Sequence, residues 1–291
     1  MNDVLSNISI LTRGIQSFPA LPAVVARILE LTSDPESSVD DFLDMIQCDP
    51  SLTAVVLKLS NSAFYGQVRN VGSLKQAISV LGINEIRNVV VARAVFNSFK
   101  QIDHGGRFDI RSFWLHSFIC GLTAKILAGE DASADDFFII GLIHDIGKLV
   151  LLNALPLSFF EVIENHSGKP YDLFHCEKSV LGTTHADIGM ALLKRWMFPD
   201  KLVKAVGFHH APEKSGKPET IPALIYFADM VSYLTPSTDP GELDALLSDP
   251  LNQSRADLAG ILWDEVSLSG YLNELNLRKD EARETFALIY S

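Results

Sequence analysis

The chain has 291 residues, 47% of them hydrophobic and 21% charged, which is enough apolar material for one large core or two moderate ones. Its net charge of −12 is unevenly spread: residues 1–100 balance to −1 and the rest carries −11 with no basic stripe, which disfavours contact with nucleic acid. No apolar run reaches the roughly 18–20 residues of a membrane helix, and the start of the chain lacks the positive region of a secretory signal, so a cytosolic protein without membrane association is expected.

The pattern is helical nearly throughout. Leu21, Val24, Val25, Ile28, Leu29 and Leu31 follow a 3.6-residue spacing, with Pro22 in the first turn. Ser38 to Asp41 can cap a helix running to about Cys48, and Asp49-Pro50-Ser51 breaks the chain and starts another over 52–62. Asn61 is expected to hydrogen-bond the backbone at that helix end, with Phe64 and Tyr65 packing between lobes. Gly72-Ser73 opens a short helix over 74–81, and Gly82 turns the chain into a long apolar helix over 83–99. On that helix Arg87 and Arg93 read as solvated or paired charges, with an acidic partner as the alternative.

His104-Gly105-Gly106-Arg107 marks the clearest boundary. Helices follow near 110–129, 135–153, 157–167, 173–181, 185–196, 200–210 and 220–234; 235–254 reads as loop with one short helix, and 264–290 as one amphipathic helix or two, with a weak point at Gly270. No window alternates with period two, so the fold class expected is all-α. Cys48, Cys120 and Cys176 are odd in number and form no Cys-x-x-Cys pair, which leaves them as small buried hydrophobes.

The strongest chemical signal is Gly-Leu-Ile-His144-Asp145-Ile-Gly-Lys148, polar residues in an otherwise apolar helix. Burying them costs several kcal/mol unless partners are supplied, about the cost of an uncompensated buried charge. Neighbouring helical positions project about 100° apart, so His144 and Asp145 can grip one ion, and Lys148 can hold an anion such as phosphate beside it. His116 shares a face with Phe113, Cys120, Ala124 and Leu127; His185 follows the capping pair Thr183-Thr184; His209 and His210 end a helix; Asp229 lies on the stripe of Ile225, Ala228 and Ser232. Satisfied core histidines and a shared metal site are both open readings. In the second, imidazole and carboxylate ligands suit iron, manganese, nickel or zinc, one ion or two. His104, His166 and His175 fall at loop or surface positions, and no nucleophile elbow or phosphate-binding glycine loop is present.

His116, His144-Asp145 and Asp229 together resemble the HD superfamily of metal-dependent phosphohydrolases, in which these positions hold a metal whose water attacks a phosphate ester. His185, His209 and His210 resemble the second-metal histidines of its HD-GYP branch, with Asp145 bridging, and Lys148 matches the lysine that there orients phosphate. Phe18-Pro19-Ala20-Leu21-Pro22, Asp49-Pro50-Ser51-Leu52, Asn61-Ser62-Ala63-Phe64-Tyr65-Gly66, Ala77-Ile78-Ser79-Val80-Leu81-Gly82 and His209-His210-Ala-Pro212 resemble the HDOD pattern, an HD-related output domain. The resemblance implies a domain over 14–234, with an N-terminal lobe at about 14–103, an HD-like core at about 108–234, and a C-terminal helical extension over 235–291.

HDOD proteins are regarded as regulatory modules of bacterial signalling, so the resemblance implies action through a protein partner, with hydrolysis of a nucleotide or other phosphate ester as the alternative. In that alternative Asp145 and Lys148 are the catalytic residues. Two departures stand out: no Gly-Tyr-Pro follows His210, and Ser112 occupies the position of the HD-GYP glutamate ligand one turn before His116. The oligomeric state is left open.

Overall fold

The structure, a computed structural model, describes residues 10–291 apart from 12, 17, 19–22, 35, 63–69, 101, 103–104, 130–133, 167–169, 217–219 and 236. The expectations at 19–22, 63–66 and 104 therefore lie outside the described residues. Among the described residues every regular element is helical. The chain divides into two compact units, one of Met1–Phe18 with Ile102–Arg278, the other of Pro19–Gln101 with Lys279–Ser291.

In the smaller unit, Ile83–Ser98 is the central helix, with Ile86, Val89, Val90, Val91, Ala92, Val95 and Phe96 all buried. A helix apolar on every face needs cover all round. Ala23–Ser33, Pro50–Ser60 and Leu74–Leu81 supply it, burying Val25, Ile28, Val56, Leu59 and Ile78. The caps fall where the sequence places them: Ser38 forms a capping box with Asp41, Asp49 accepts from the amides of Ser51 and Leu52, and Ser73 accepts from Gln76 N. Asn61 donates to Leu57 O (2.8 Å) and Val71 O (2.9 Å) and accepts from Val71 N (2.8 Å), tying the helix end to the start of the next element. Arg87 is buried rather than solvated. Arg93 is paired within the unit, donating to Ile289 O and Ser51 Oγ, both at 2.8 Å.

In the larger unit, Ile110–Ala128 and Ala134–Ile143 pack closely because two glycines meet. A Cβ on Gly141 would stand 2.6 Å from Gly121 Cα, a distance no side chain tolerates. Thr220–Tyr233 lies against both helices, and Ile146–Ala154 packs on His185–Arg195.

Four expectations need correction. The helix over 135–153 is two helices, Ala134–Ile143 and Ile146–Ala154, with His144 and Asp145 in the turn between them. The segment Asp136–Ala154 is, by length and composition, apolar enough to cross a membrane (19 residues, mean hydropathy 1.7), but 83% of it is buried inside the structure, as in a core element. The stretch 235–254 holds the one short helix expected there, Pro240–Ser248, and also the start of a second, Pro250–Ala259. Its Asp-Pro pairs, which read as breakers, are cap and first-turn residues: Asp239 and Asp249 accept the first amides and the prolines need none. Of the cysteines only Cys120 is buried; Cys48 is exposed and Cys176 half-buried. Glu265–Tyr290 is one helix through Gly270.

Candidate metal centre

Three helices and two turns of the larger unit bring the histidines and aspartates together. His116 comes from the Ile110–Ala128 helix, which Asp109 caps by accepting from Ser112 N (3.0 Å) and Ser112 Oγ (2.6 Å). Ser112 is thus an exposed cap residue. His144 and Asp145 sit at the break described above. His185 opens its helix directly after Thr184, whose capping box with Asp187 matches the expected cap. His209 and His210 form the turn that ends Asp200–Phe208, and Asp229 projects from Thr220–Tyr233. His144 and Asp145 come together through this turn, not through adjacent positions on one helix.

Two clusters result. In the first, His116 Nε2 lies 3.1 Å and His144 Nε2 3.4 Å from Asp229 Oδ1, and His144 Nε2 lies 3.3 Å from Asp145 Oδ2. In the second, Asp145 Oδ1 lies 3.1 Å from His185 Nε2 and 3.9 Å from His209 Nε2. His185 Nε2 is also 3.3 Å from His209 Nε2 and 3.0 Å from His210 Nε2. Potential ligand atoms in each cluster lie within 4.8 Å of one another, and Asp145 faces both.

The outer nitrogens are anchored. His144 Nδ1 donates to Gly141 O (2.7 Å), His209 Nδ1 to Val206 O (2.6 Å) and His185 Nδ1 to Glu177 Oε2 (2.7 Å). These oxygens only accept, so each ring carries its proton on Nδ1 and, when neutral, turns the Nε2 lone pair inward. His116 Nδ1 faces Ser232 Oγ at 3.4 Å, and that hydroxyl already donates to Asp229 O.

Several of the inward-facing atoms have no partner. His116 Nε2, His144 Nε2, Asp145 Oδ1 and Asp229 Oδ1 are buried without a hydrogen-bond partner, although the two imidazole nitrogens stand 3.1 and 3.4 Å from Asp229 Oδ1 and Asp145 Oδ1 stands 3.1 Å from His185 Nε2. The potential ligand atoms of each cluster lie close enough together to share one ion. Buried polar atoms left this way are costly, and a shared divalent cation in each cluster would satisfy them. The donor set, imidazole and carboxylate, fits such ions.

Protonation follows the charges around each group. Burial opposes ionisation of Asp145, but His144, Lys148 and His185 outweigh it and hold the carboxyl well below its usual range. Asp229 is likewise held low against burial, by its contacts with His116 and His144. Burial disfavours the charged form of His144 and His185, yet Asp145 raises the first and Glu177 the second. Burial, with the neighbouring imidazoles, pushes His209 down to about 3 and His210 well below normal.

Lys148, read as a phosphate holder, places Nζ 2.5 Å from Asp145 Oδ2 and is largely buried. Two contacting residues escaped the sequence reading. Glu177 is fully buried behind His185; its sharing a helical face with Phe174 and Leu181 could have flagged it. Tyr233, one turn after Asp229, stacks on His116 with centroids 4.3 Å apart.

A family model for the HDOD domain matches residues 18–212, more than half of the chain. An uncharacterised protein of Treponema pallidum (strain Nichols) is 24% identical over 220 residues, covering 74% of this chain. The chain spans only 42% of that relative's length. A solved HDOD domain protein of unknown function from Geobacter sulfurreducens superposes with a TM-score of 0.77 at 23% identity, over 99% of both chains. A solved protein from Shewanella amazonensis SB2B, provisionally described as a phosphohydrolase, gives a TM-score of 0.72 at 26% identity, over 96% of this chain and 98% of that one.

Proposed function

We propose, because this chain belongs to the HDOD domain family, that it is a cytosolic regulatory module of signal transduction that holds two divalent metal ions and acts through a protein partner. His116, His144, Asp145 and Asp229 would hold one ion, and Asp145, His185, His209 and His210 the other. The observation that carries the metal reading is the set of Nδ1-anchored imidazoles whose Nε2 atoms converge, beside unpartnered carboxylate oxygens.

Two features favour a regulatory role. Ser112 is engaged in the cap at Asp109 instead of reaching the metal centre, so the first cluster is built without a further carboxylate. Lys148 neutralises Asp145, which ties up the cation best placed to orient a phosphate.

The second reading, a metal-dependent phosphohydrolase of a nucleotide or other phosphate ester, is supported by the convergent ligand set and by the likeness to the Shewanella amazonensis protein. Bound metal supplies Lewis acidity and a lowered water pKa. The chain's own contribution would be Asp145 shared between the clusters and Lys148 released from it to grip the phosphate.

A screen of manganese-loaded protein against phosphomonoesters and phosphodiesters separates the two. Inert loaded protein supports the regulatory reading; hydrolysis that vanishes in Asp145→Ala replaces it with the second.

A further inference from the structure

Glu177 is a carboxylate with 0% exposure, and its helix, Pro170–Leu181, lies outside the two clusters. One oxygen, Oε2, accepts from the backbone amide of His185 and from its ring Nδ1, both at 2.7 Å. The other, Oε1, is buried with no hydrogen-bond partner. On the far side of the same ring, Nε2 faces Asp145 Oδ1 at 3.1 Å and the Nε2 atoms of His209 and His210. Carboxylate, imidazole and cluster therefore stand in line.

We infer that Glu177 is the positioning residue of the second cluster: it fixes the tautomer and rotation of His185 so that Nε2 is offered to a divalent ion shared with Asp145, His209 and His210. The double contact is what gives it this power. Gripping the backbone amide fixes the carboxylate at the start of the His185–Arg195 helix, and gripping Nδ1 then fixes the ring against that anchor. A carboxylate in this place also makes the imidazole a more basic ligand, as outer-shell carboxylates do at histidine metal sites. His144 and His209 are anchored by neutral backbone carbonyls instead, so His185 is the ring here that an anion anchors. The inference rests on the metal reading above.

A purely structural Glu177 would staple the helix start through the amide alone. Glu177→Gln isolates the charge, because its carbonyl can still accept from the amide and from Nδ1 while the anion that makes His185 a stronger ligand is gone. The experiment titrates wild type, Glu177→Gln and Glu177→Met with manganese alone, counting bound equivalents, and melts each protein in chelator. Expected are two equivalents in wild type and, in Glu177→Gln, a second equivalent weakened roughly 10- to 100-fold with the first unchanged, the range typical of outer-shell substitutions. The chelated Gln variant should melt close to wild type.

Unchanged binding of both equivalents by Glu177→Gln overturns the inference, as does a fall in chelated stability with no selective loss of the second equivalent. If Glu177→Met does not fold, Glu177→Gln still decides. A wild type that binds no manganese fails the metal reading itself, a result distinct from two equivalents indifferent to Glu177.

Discussion

Gly147 lies directly against the backbone of His185: a Cβ built on Gly147 would stand 1.9 Å from the His185 carbonyl oxygen and 2.7 Å from Gly189 N. The helix that begins beside Asp145 and the helix that begins with His185 thus meet backbone to backbone. This contact sets the 3.1 Å approach of Asp145 Oδ1 to His185 Nε2. A methyl group cannot be accommodated by a side-chain rotation, because the obstacle is main chain.

Gly147→Ala should therefore destabilise the larger unit by about 3 kcal/mol, the upper end of overpacking costs. At about 2–4 °C per kcal/mol the melting temperature falls by roughly 6–12 °C. Thermal melts followed by circular dichroism check this; a variant melting with wild type would mean that the two helices do not approach as described.

The cap on the His116 helix predicts a pH effect. Asp109 is held below the usual carboxylate range chiefly by its hydrogen bond from the Ser112 side chain. A carboxyl whose pKa is lowered by folding stabilises the fold above its unfolded pKa and loses that contribution as pH falls through the folded value. Asp109→Ala should cost about 1 kcal/mol at neutral pH, as for other N-caps. The gap between variant and wild type should narrow as pH falls below the ordinary carboxylate range. A gap independent of pH would contradict the assignment.

Arg255 reaches the turn that carries the histidine pair. Its guanidinium donates to His210 O (3.1 Å), pairs with Glu213 (3.1 Å) and lies 4.4 Å over the Tyr226 ring. Breaking a fully buried pair costs about 3–5 kcal/mol. Glu213 is partly exposed and can rehydrate, so Arg255→Met should cost less, about 1–2 kcal/mol. Urea unfolding of the two proteins measures it, and an unchanged midpoint would remove Arg255 from the support of this turn.

In the smaller unit, Phe286 is buried against Phe96 with centroids 5.7 Å apart, and Tyr290 meets the same ring at 5.5 Å. Phe286→Ala should cost about 3–5 kcal/mol, the usual loss for a buried phenylalanine. Hydrogen exchange should show the loss in the amides of Ile83–Ser98. No change there would mean that the end of the last helix is not part of this core.

What the sequence made legible follows from local chemistry. The all-α class, the caps at Ser38, Asp49, Ser73 and Thr184, and the Asn61 contact all depend on residues within a few positions of one another. Polar residues on apolar faces marked His116, His144, Asp145, His185, His209, His210 and Asp229 as candidates, with a shared site one of two open readings, and the resemblance to the HD superfamily grouped them. Less visible was the break at His144-Asp145, since apolar residues continue on both sides and hide the end of a helix. The Asp-Pro pairs at 239–240 and 249–250 serve equally as breakers and as helix starts, and composition does not separate these uses. Glu177 stayed hidden because its partner, His185, is eight residues away on the next helix, and only the fold brings the carboxylate to Nδ1.

The most direct test is elemental analysis of wild type and Asp145→Ala, both purified without a metal-binding tag and checked for helicity. Two equivalents of iron, manganese, nickel or zinc in wild type, with loss from both clusters in Asp145→Ala, is the result predicted for a carboxylate that faces both. A folded wild type that holds no metal and takes up none when offered it, or an Asp145→Ala protein that keeps both equivalents, would contradict the account.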